Sequence, residues 1–121
     1  MTQTVLTVDD SRTMRDMLRV TLEDSGYRVL QAADGLLGLE VLRTEMPDVI
    51  VTDINMPNLD GFGFIEAVRR DRRFAGVPIL VLTTESSQEM KDRARRAGAT
   101  GWITKPFEQT RLVDVVRRVA A

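Results

Sequence analysis

The chain has 121 residues, of which 43% are hydrophobic and 29% charged, a size and composition typical of one globular domain with a single core. Its 17 basic and 18 acidic side chains give a formal net charge of −1, which provides no overall attraction to nucleic acid or to an anionic membrane. It contains no cysteine and no histidine, which excludes disulfides, thiolate nucleophiles, cysteine-ligated metals, histidine acid–base catalysis and phosphohistidine on this chain.

The first half of the chain predicts strands and helices in alternation. The apolar run Val5–Val8 predicts a buried strand, and a helix ending at Gly26 follows, with apolar residues at Met14, Met17, Leu18 and Leu22. A second strand is predicted at Tyr27–Ala32, and a second helix before Pro47 has apolar residues at Leu36, Leu39 and Leu42. The β-branched run Val49–Val51 predicts the third strand.

The second half continues the same alternation. A third helix is predicted to begin near Asp60, with apolar residues at Phe64, Ile65 and Val68, and the run Val77–Leu82 predicts a fourth strand. A fourth helix ends at Gly98 after apolar residues at Met90, Ala94 and Ala97. Trp102 and Ile103 lie in a short fifth strand, and the last helix has apolar residues at Leu112, Val115, Val116 and Val119.

Five strand–helix repeats predict an α/β fold with a five-stranded parallel sheet and five helices. Strands that are apolar throughout belong in a parallel sheet covered on both faces, and right-handed crossovers make it doubly wound. We expect one domain over residues 1–121, with no output domain, membrane span or signal peptide, located in the cytoplasm. The basic clusters Arg69–Arg73 and Lys91–Arg96 are interpreted as solvated helix ends that complement the helix dipole, without nucleic-acid binding.

Polar residues follow four of the predicted strands at the sheet edge where such folds bind ligands. Asp9 and Asp10 follow the first strand, Asp53 the third, Thr83 the fourth and Lys105 the fifth. Three neighbouring carboxylates repel one another unless a cation lies between them, and Mg²⁺ suits them because it binds carboxylate and phosphate oxygens. With a lysine and a hydroxyl beside them, these residues are typical of a phosphoryl-transfer site.

A purely structural interpretation explains each of these residues when it is taken alone. Asp9 and Asp10 could cap the first helix, as could Ser11, and Asp60 could cap the third. Trp102 could be an ordinary core or surface aromatic residue. The joint occurrence of titratable and hydroxyl residues at four strand ends nevertheless favours a functional site.

Four segments resemble response-regulator receiver domains, and among these the single-domain chemotaxis regulators of the CheY type. The segments span the chain at the family's spacing, at Val8–Ser11, Asp53–Gly61, Leu82–Glu85 and Thr104–Phe107. The resemblance implies a flavodoxin-like fold with strand order 2-1-3-4-5. It also implies that Asp53 is the phosphoacceptor, that Asp10, Asp53 and the backbone carbonyl of Asn55 bind Mg²⁺ directly, and that Asp9 acts mainly through water.

The same resemblance implies roles for residues around the acceptor. Lys105 contacts the phosphoryl group, and the Lys105–Pro106 peptide bond is expected to be cis. Thr83 is the switch hydroxyl, and Trp102 occupies the aromatic switch position, where Tyr or Phe is more usual. Asn55 and Glu85 are the side chains expected to steer or block the hydrolytic water, so a bulky or basic residue at position 55 should lengthen the phosphoryl lifetime.

Two other functions fit parts of the pattern. A haloacid-dehalogenase-type phosphatase also uses a strand-end aspartate but needs a second acid two residues later, where this chain has Asn55. A flavodoxin-like cofactor module should hold phosphate in its first loop, where Asp9 and Asp10 would repel an anion. We therefore expect a phosphoacceptor switch that is not an enzyme beyond its own phosphorylation and dephosphorylation.

The resemblance also implies partners. The phosphodonor is expected to be a CheA-like histidine kinase, and the output a protein contact through the surface of helix four, strand five and helix five. The flagellar motor switch is the expected target of a monomeric regulator that binds neither nucleic acid nor membrane. A phosphate sink, or a relay receiver in another signalling pathway, is the alternative.

Overall fold

The computed structural model describes residues 2–121, in which strands and helices alternate. The strands are β1 (Thr4–Val8), β2 (Arg28–Ala32), β3 (Val49–Thr52), β4 (Ile79–Thr83) and β5 (Gly101–Thr104). The helices are α1 (Arg12–Asp24), α2 (Gly35–Leu42), α3 (Gly61–Arg70), α4 (Gln88–Ala97) and α5 (Gln109–Ala120), with a short 3₁₀ helix at Arg72–Phe74. No helix among the described residues has the length and apolar character needed to cross a membrane.

The five strands form one parallel sheet in the order β2-β1-β3-β4-β5. This is the predicted order, and the predicted doubly wound, flavodoxin-like fold is confirmed. Leu6 of β1 lies opposite Leu30 on one side and Ile50 on the other. The order reverses between β1 and β3, so the loops that follow these two strands open a crevice at the C-terminal edge of the sheet.

The sheet separates two apolar clusters, one on each face. Ile79 and Val81 of β4 pack on the side of α2, α3 and α4, whereas Leu80 and Leu82 pack on the side of α1 and α5. Successive side chains of a strand point to opposite faces, so a strand covered on both faces must be apolar throughout. The strands are therefore uninterrupted apolar runs because helices pack on both faces of the sheet.

Side chains and glycines define the helix ends. Ser11 caps α1 by accepting a hydrogen bond from the Met14 N–H at 3.2 Å, so the capping interpretation of Asp9 and Asp10 is wrong. Asp60 caps α3, as predicted, by accepting from the Gly63 N–H at 2.8 Å. Each such cap contributes about 1 kcal/mol.

The start of the fourth strand and the buried faces of two helices differ from the prediction. The fourth strand begins at Ile79, because the Val77 N–H donates to the Phe74 carbonyl and Val77 therefore belongs to the preceding turn. Helix α2 does not bury Leu36, which is 53% exposed. It buries Gly35, Gly38 and Leu42 instead. Gly38 lies so close to Phe64 that a β-carbon at this position would be 2.8 Å from the phenyl ring. Similarly, Met17 of α1 is exposed rather than buried.

The interpretation of Arg69–Arg73 as a solvated helix end is wrong for Arg69. Its guanidinium donates to the carbonyls of Phe74 at 2.8 Å, Val77 at 2.7 Å and Gly98 at 3.0 Å. Burial lowers the pKa of Arg69 from its ordinary value. Arg69 therefore joins the end of α3 to the 3₁₀ turn and to Gly98, which ends α4 in a left-handed conformation with φ +119°.

Candidate functional site

Three carboxylates meet at the C-terminal edge of the sheet. Val8 of β1 lies opposite Thr52 of β3, so the residues that follow these strands are neighbours. One carboxylate oxygen from each of Asp9, Asp10 and Asp53 lies within 4.8 Å of the others. Asp9 is buried, Asp53 is partly buried and Asp10 is exposed, so the cluster is open to solvent on the Asp10 side.

Lys105 bridges two of these carboxylates. Its Nζ lies 2.9 Å from Asp9 Oδ2 and 3.0 Å from Asp53 Oδ2. Burial acts to lower the pKa of Lys105, but the hydrogen bonds and charges of the two aspartates outweigh it and raise the pKa above its ordinary value. The side chain is therefore cationic at neutral pH. The Lys105–Pro106 peptide bond is cis, as expected.

Backbone groups hold the remaining oxygens of both bridged carboxylates. Asp9 Oδ1 accepts from the Ser11 N–H at 2.9 Å, and Asp53 Oδ1 accepts from the Ile54 N–H at 2.6 Å. The guanidinium of Arg15 donates to the Asp9 carbonyl at 2.7 Å, a contact that the sequence analysis missed. Each carboxylate oxygen of Asp9 and Asp53 therefore accepts a hydrogen bond, either from a backbone N–H or from Lys105.

The donor set fits a hard divalent cation. Three aspartate carboxylates supply oxygen ligands, and the chain has neither histidine nor cysteine to favour zinc. Lys105 occupies the side between Asp9 and Asp53, and no side-chain hydrogen bond to the Asp10 carboxylate occurs within residues 2–121. A cation would therefore approach from the Asp10 side, which suits Mg²⁺ because this ion retains several water ligands.

Glu85 connects the remaining predicted site residues. Its carboxylate accepts from Asn55 Nδ2 at 3.2 Å, which joins the β3–α3 loop to the β4–α4 loop. Its N–H donates to Thr83 Oγ1 at 3.4 Å, and Thr83 is fully buried. Its carbonyl accepts from Trp102 Nε1 at 3.1 Å, and the indole packs partly buried against the cluster on the α3–α4 side. Glu85, one of the two expected water-steering residues, therefore contacts the other one and both expected switch residues.

A contact between buried Asp34 and exposed Asn58, which sequence analysis missed, supports the loop after Asp53. Asp34 is 6% exposed and caps α2, with Oδ1 accepting from the Leu37 N–H at 2.8 Å. Its Oδ2 accepts from Asn58 Nδ2 at 2.7 Å, and Asn58 has φ +68°. Aspartate before Gly35 is a capping signal, and asparagine tolerates a left-handed turn, so both residues carried a usable signal. Their contact attaches the acceptor loop to α2.

The Asp34 contacts predict a pH-dependent loss of stability. Hydrogen bonds from Leu37 and Asn58 lower the pKa of Asp34 below its ordinary value. A lowered folded-state pKa stabilises the fold above the unfolded-state pKa, and this contribution is lost as the pH falls through the folded-state value. We expect Asp34→Asn to lower the free energy of unfolding by a constant amount down to about pH 5, and by less below about pH 4.

Urea unfolding followed by circular dichroism at stepped pH measures this difference. Asp16→Asn, which removes an exposed carboxylate on α1, serves as the control. A stability difference for Asp34→Asn that stays the same down to about pH 3 would contradict the assigned role of the ionised carboxylate.

Comparison with known proteins gives consistent matches over nearly the whole chain. The sequence profile of the response regulator receiver domain matches residues 5–117. Protein PilH of Pseudomonas aeruginosa is 35% identical over 117 residues, covering 97% of this chain and 97% of that protein. Chemotaxis protein CheY of the same organism is 34% identical over 116 residues, covering 95% and 94%.

Some relatives are much longer than this chain. The chain spans 14% of the sensor histidine kinase CheAY of Helicobacter pylori, to which it is 38% identical over 116 residues. It spans 47% of the DNA-binding dual master transcriptional regulator RpaA of Synechocystis sp., at 35% identity.

Solved structures agree with the fold. Chemotaxis protein CheY4 of Vibrio cholerae has a TM-score of 0.95 at 44% identity, covering 98% of this chain and 99% of that one. The receiver domain of sensor histidine kinase PA1611 from Pseudomonas aeruginosa has a TM-score of 0.91 at 28% identity, covering 99% and 98%. The latter structure holds a magnesium ion coordinated in its active-site cleft.

Proposed function

Because the chain belongs to the family of response regulator receiver domains, we propose that Asp53 accepts a phosphoryl group from a histidine kinase and thereby switches a protein-binding surface. The observation that carries the proposal is the Lys105 ammonium, 2.9 Å from Asp9 and 3.0 Å from Asp53 beside the exposed Asp10 carboxylate. A carboxylate nucleophile, a fixed cation and a metal-binding acid together are what phosphoryl transfer to a protein needs. In this role the chain acts as a monomeric cytoplasmic switch and not as an enzyme that turns over a separate substrate.

The proposed transfer forms one bond and breaks another. A carboxylate oxygen of Asp53 attacks the phosphorus of a phosphohistidine, the P–N bond breaks, and its electron pair stays on the imidazole nitrogen. Lys105 exchanges one carboxylate contact for a phosphoryl oxygen, so its charge stays paired throughout. Mg²⁺ held by Asp10, Asp53 and the Asn55 carbonyl would neutralise charge on the transferring oxygens.

The proposed switch begins at Thr83 and is transmitted through Glu85. The phosphoryl group adds negative charge and acceptor oxygens, for which the Thr83 hydroxyl is a donor. Movement of Thr83 would release the Glu85 N–H, and the Glu85 carbonyl holds the Trp102 indole. Asn55 and Glu85 form the rim of the site and are the groups proposed to steer hydrolytic water.

Chemotaxis is the proposed setting. Chemotaxis protein CheY matches this chain along nearly its full length, and chemotaxis protein CheY4 shares its fold at 44% identity. We propose that a CheA-like kinase is the phosphodonor and that the output partner is a protein. The flagellar motor switch is the first target to test. A pull-down with Mg²⁺ and beryllofluoride, with Asp53→Ala as the control, tests for an output partner. If the chain accepts phosphate from the kinase but captures no partner, its function is that of a phosphate sink.

Incubation with Mg²⁺ and acetyl phosphate, followed by intact-mass measurement, tests the central proposal. One added phosphoryl group per chain is the expected result. Turnover of many phosphate esters would indicate a phosphatase, and a flavin retained on purification would indicate a cofactor module. Either outcome without an acyl phosphate would overturn the proposal.

Metal binding should depend on Asp10 more than on Asp9. Both Asp9 oxygens already accept hydrogen bonds, from Ser11 and Lys105, whereas the Asp10 carboxylate faces solvent. We expect Asp10→Asn to weaken Mg²⁺ binding by about tenfold or more, since removing a direct carboxylate ligand removes a full charge. Titration of Trp102 fluorescence measures the affinity, with EDTA reversal as the control. Unchanged affinity in Asp10→Asn would contradict the proposed ligand set.

Loss of the Thr83 hydroxyl should separate phosphorylation from output. We expect Thr83→Ala to accept phosphate normally but to reduce the phosphorylation-dependent gain in partner affinity by about fivefold, a typical coupling energy of about 1 kcal/mol. Thr84→Ala, at the exposed neighbouring position, is the matched control. Acrylamide quenching of Trp102 with and without beryllofluoride reports the indole. Unchanged quenching together with increased partner affinity would remove Trp102 from the switch.

A further inference from the structure

Charge is distributed very unevenly over this nearly neutral chain. Residues 66–73 and 91–97, at the C-terminal parts of α3 and α4 and in the 3₁₀ helix, contain eight of the 17 basic side chains and three of the 18 acidic ones. These two segments therefore carry a net charge of +5 and the rest of the chain −6. Such separation produces a local positive potential that the overall net charge conceals.

The two basic segments face each other across a cleft. Arg69, Arg70, Arg93 and Arg96 line it together with Glu66 and Ala97, around a cavity of about 540 Å³. Arg69 is anchored by its three backbone carbonyl contacts, so one wall is rigid. The guanidinium of Arg93 lies 4.0 Å from the centroid of the buried Phe62 ring, which keeps this charge in position.

Acidic partners within the chain do not neutralise this cleft. Glu66 lies 3.8 Å from Arg70 in a solvent-exposed pair, and Asp71 is already bound by Arg73 at 2.7 Å. Within residues 2–121, Arg93 and Arg96 form no salt bridge. The helix dipole favours cations only in the last turn, and Arg93 lies near the middle of α4, so the dipole does not account for the whole cluster.

The cleft lies near the N-terminal ends of the strands, whereas the acceptor site lies at their C-terminal ends. Helix α3 begins beside Asp53, where the Gly61 N–H donates to the Ile54 carbonyl, and ends beside Val77, which precedes β4. A ligand in the cleft therefore does not contact the phosphorylated carboxylate. Its binding should not require phosphorylation.

The guanidinium groups of the cleft favour a ligand that carries carboxylates. Guanidinium groups form paired hydrogen bonds with carboxylates, and several in a concave space favour side chains that project from a peptide. A nucleic-acid backbone needs an extended positive surface, whereas here the rest of the chain carries −6. We propose that the α3–α4 cleft docks an acidic, Asp- and Glu-rich segment of a protein partner, independently of the state of Asp53.

Fluorescence polarisation with a labelled peptide of alternating Glu and Gly tests the proposal. The expected result is binding at low salt that weakens as salt rises, equally for the wild type with and without Mg²⁺ and beryllofluoride, and no binding of the matching Gln–Gly peptide. We expect Arg93→Gln with Arg96→Gln to weaken binding about tenfold or more. Arg117→Gln with Arg118→Gln, the same charge change in the last turn of α5, should have little effect.

A second measurement uses only the wild-type protein, so its result does not depend on whether the cleft variant folds. Amide NMR shifts of the wild-type protein should move on peptide addition in residues 66–70 and 93–97 and not at the α5 C-terminus. Equal weakening by both double variants, shifts spread over the whole surface, or no binding of the Glu–Gly peptide at low salt would overturn the proposal. Tighter binding of duplex DNA than of the peptide would overturn it in favour of a nucleic-acid site.

Discussion

Asp53→Asn is expected to abolish phosphorylation by acetyl phosphate and by a cognate kinase while leaving the fold intact. The amide is close in shape to the carboxylate but is a poor nucleophile. Its oxygen can still accept from the Ile54 N–H, and Lys105 keeps its contact with Asp9, so no buried group loses every partner. Intact-mass measurement gives the phosphoryl occupancy, and thermal unfolding followed by circular dichroism reports the fold.

The matched control for this variant is Asp60→Asn in the same loop. Asparagine is as good a helix cap as aspartate, so the cap on Gly63 should persist and phosphorylation should be normal. Wild-type labelling of Asp53→Asn would show that another group accepts the phosphate. Loss of labelling in both variants would show that the loop as a whole, and not the nucleophile, had been disturbed.

Gly61→Ala is expected to destabilise the protein by about 3 kcal/mol, the upper range for an overpacked site. A β-carbon there would overlap the Asp53 carbonyl oxygen and lie 2.8 Å from Ile54 Cα. Both contacts are backbone groups that hold the acceptor loop, so phosphorylation should slow as well. The φ of Gly61 is not positive, so the requirement for glycine here comes from close packing.

Gly76→Ala is the matched control for the glycine effect. Within residues 2–121, no heavy atom outside the adjacent residues lies within 4 Å of a β-carbon at position 76, and the φ of Gly76 is not positive. We expect a change in the free energy of unfolding within about 1 kcal/mol, of either sign. Urea titrations of both variants measure the difference, and equal unfolding midpoints for the two would refute the packing argument at Gly61.

The fold and the acidic cluster could be predicted because each depends on simple patterns. A strand covered on both faces must be a continuous apolar run, and five such runs separated by helical spacing leave few arrangements. Parallel neighbouring strands then place the residues after them together, which brings Asp9, Asp10 and Asp53 to one edge. The patterns of short segments predicted the α/β class and the polar strand ends, whereas the strand order 2-1-3-4-5 was implied by the family resemblance.

Other features depend on contacts between distant segments, which patterns do not encode. Periodicity assigned Leu36 to the buried face of α2, whereas the helix rotates so that Gly38 fits against Phe64. Burial of a charged side chain is costly, so Arg69 was read as solvated, yet it satisfies its donors on backbone carbonyls. The position of Glu85 among Asn55, Thr83 and Trp102 likewise depends on how two loops approach each other.

The contact between Arg69 and Gly98 makes the residues tolerated at one position depend on the residue at the other. The Arg69 side chain passes so close to Gly98 that a β-carbon there would lie 2.6 Å from Arg69 Cγ, while Arg69 Nε donates to the Gly98 carbonyl. A larger residue at 98 would displace the arginine, and shortening the side chain at position 69 would remove a donor from three carbonyls. Effects of substitutions at the two sites should therefore be non-additive. Descendants of this chain can change the pair together more readily than either member alone.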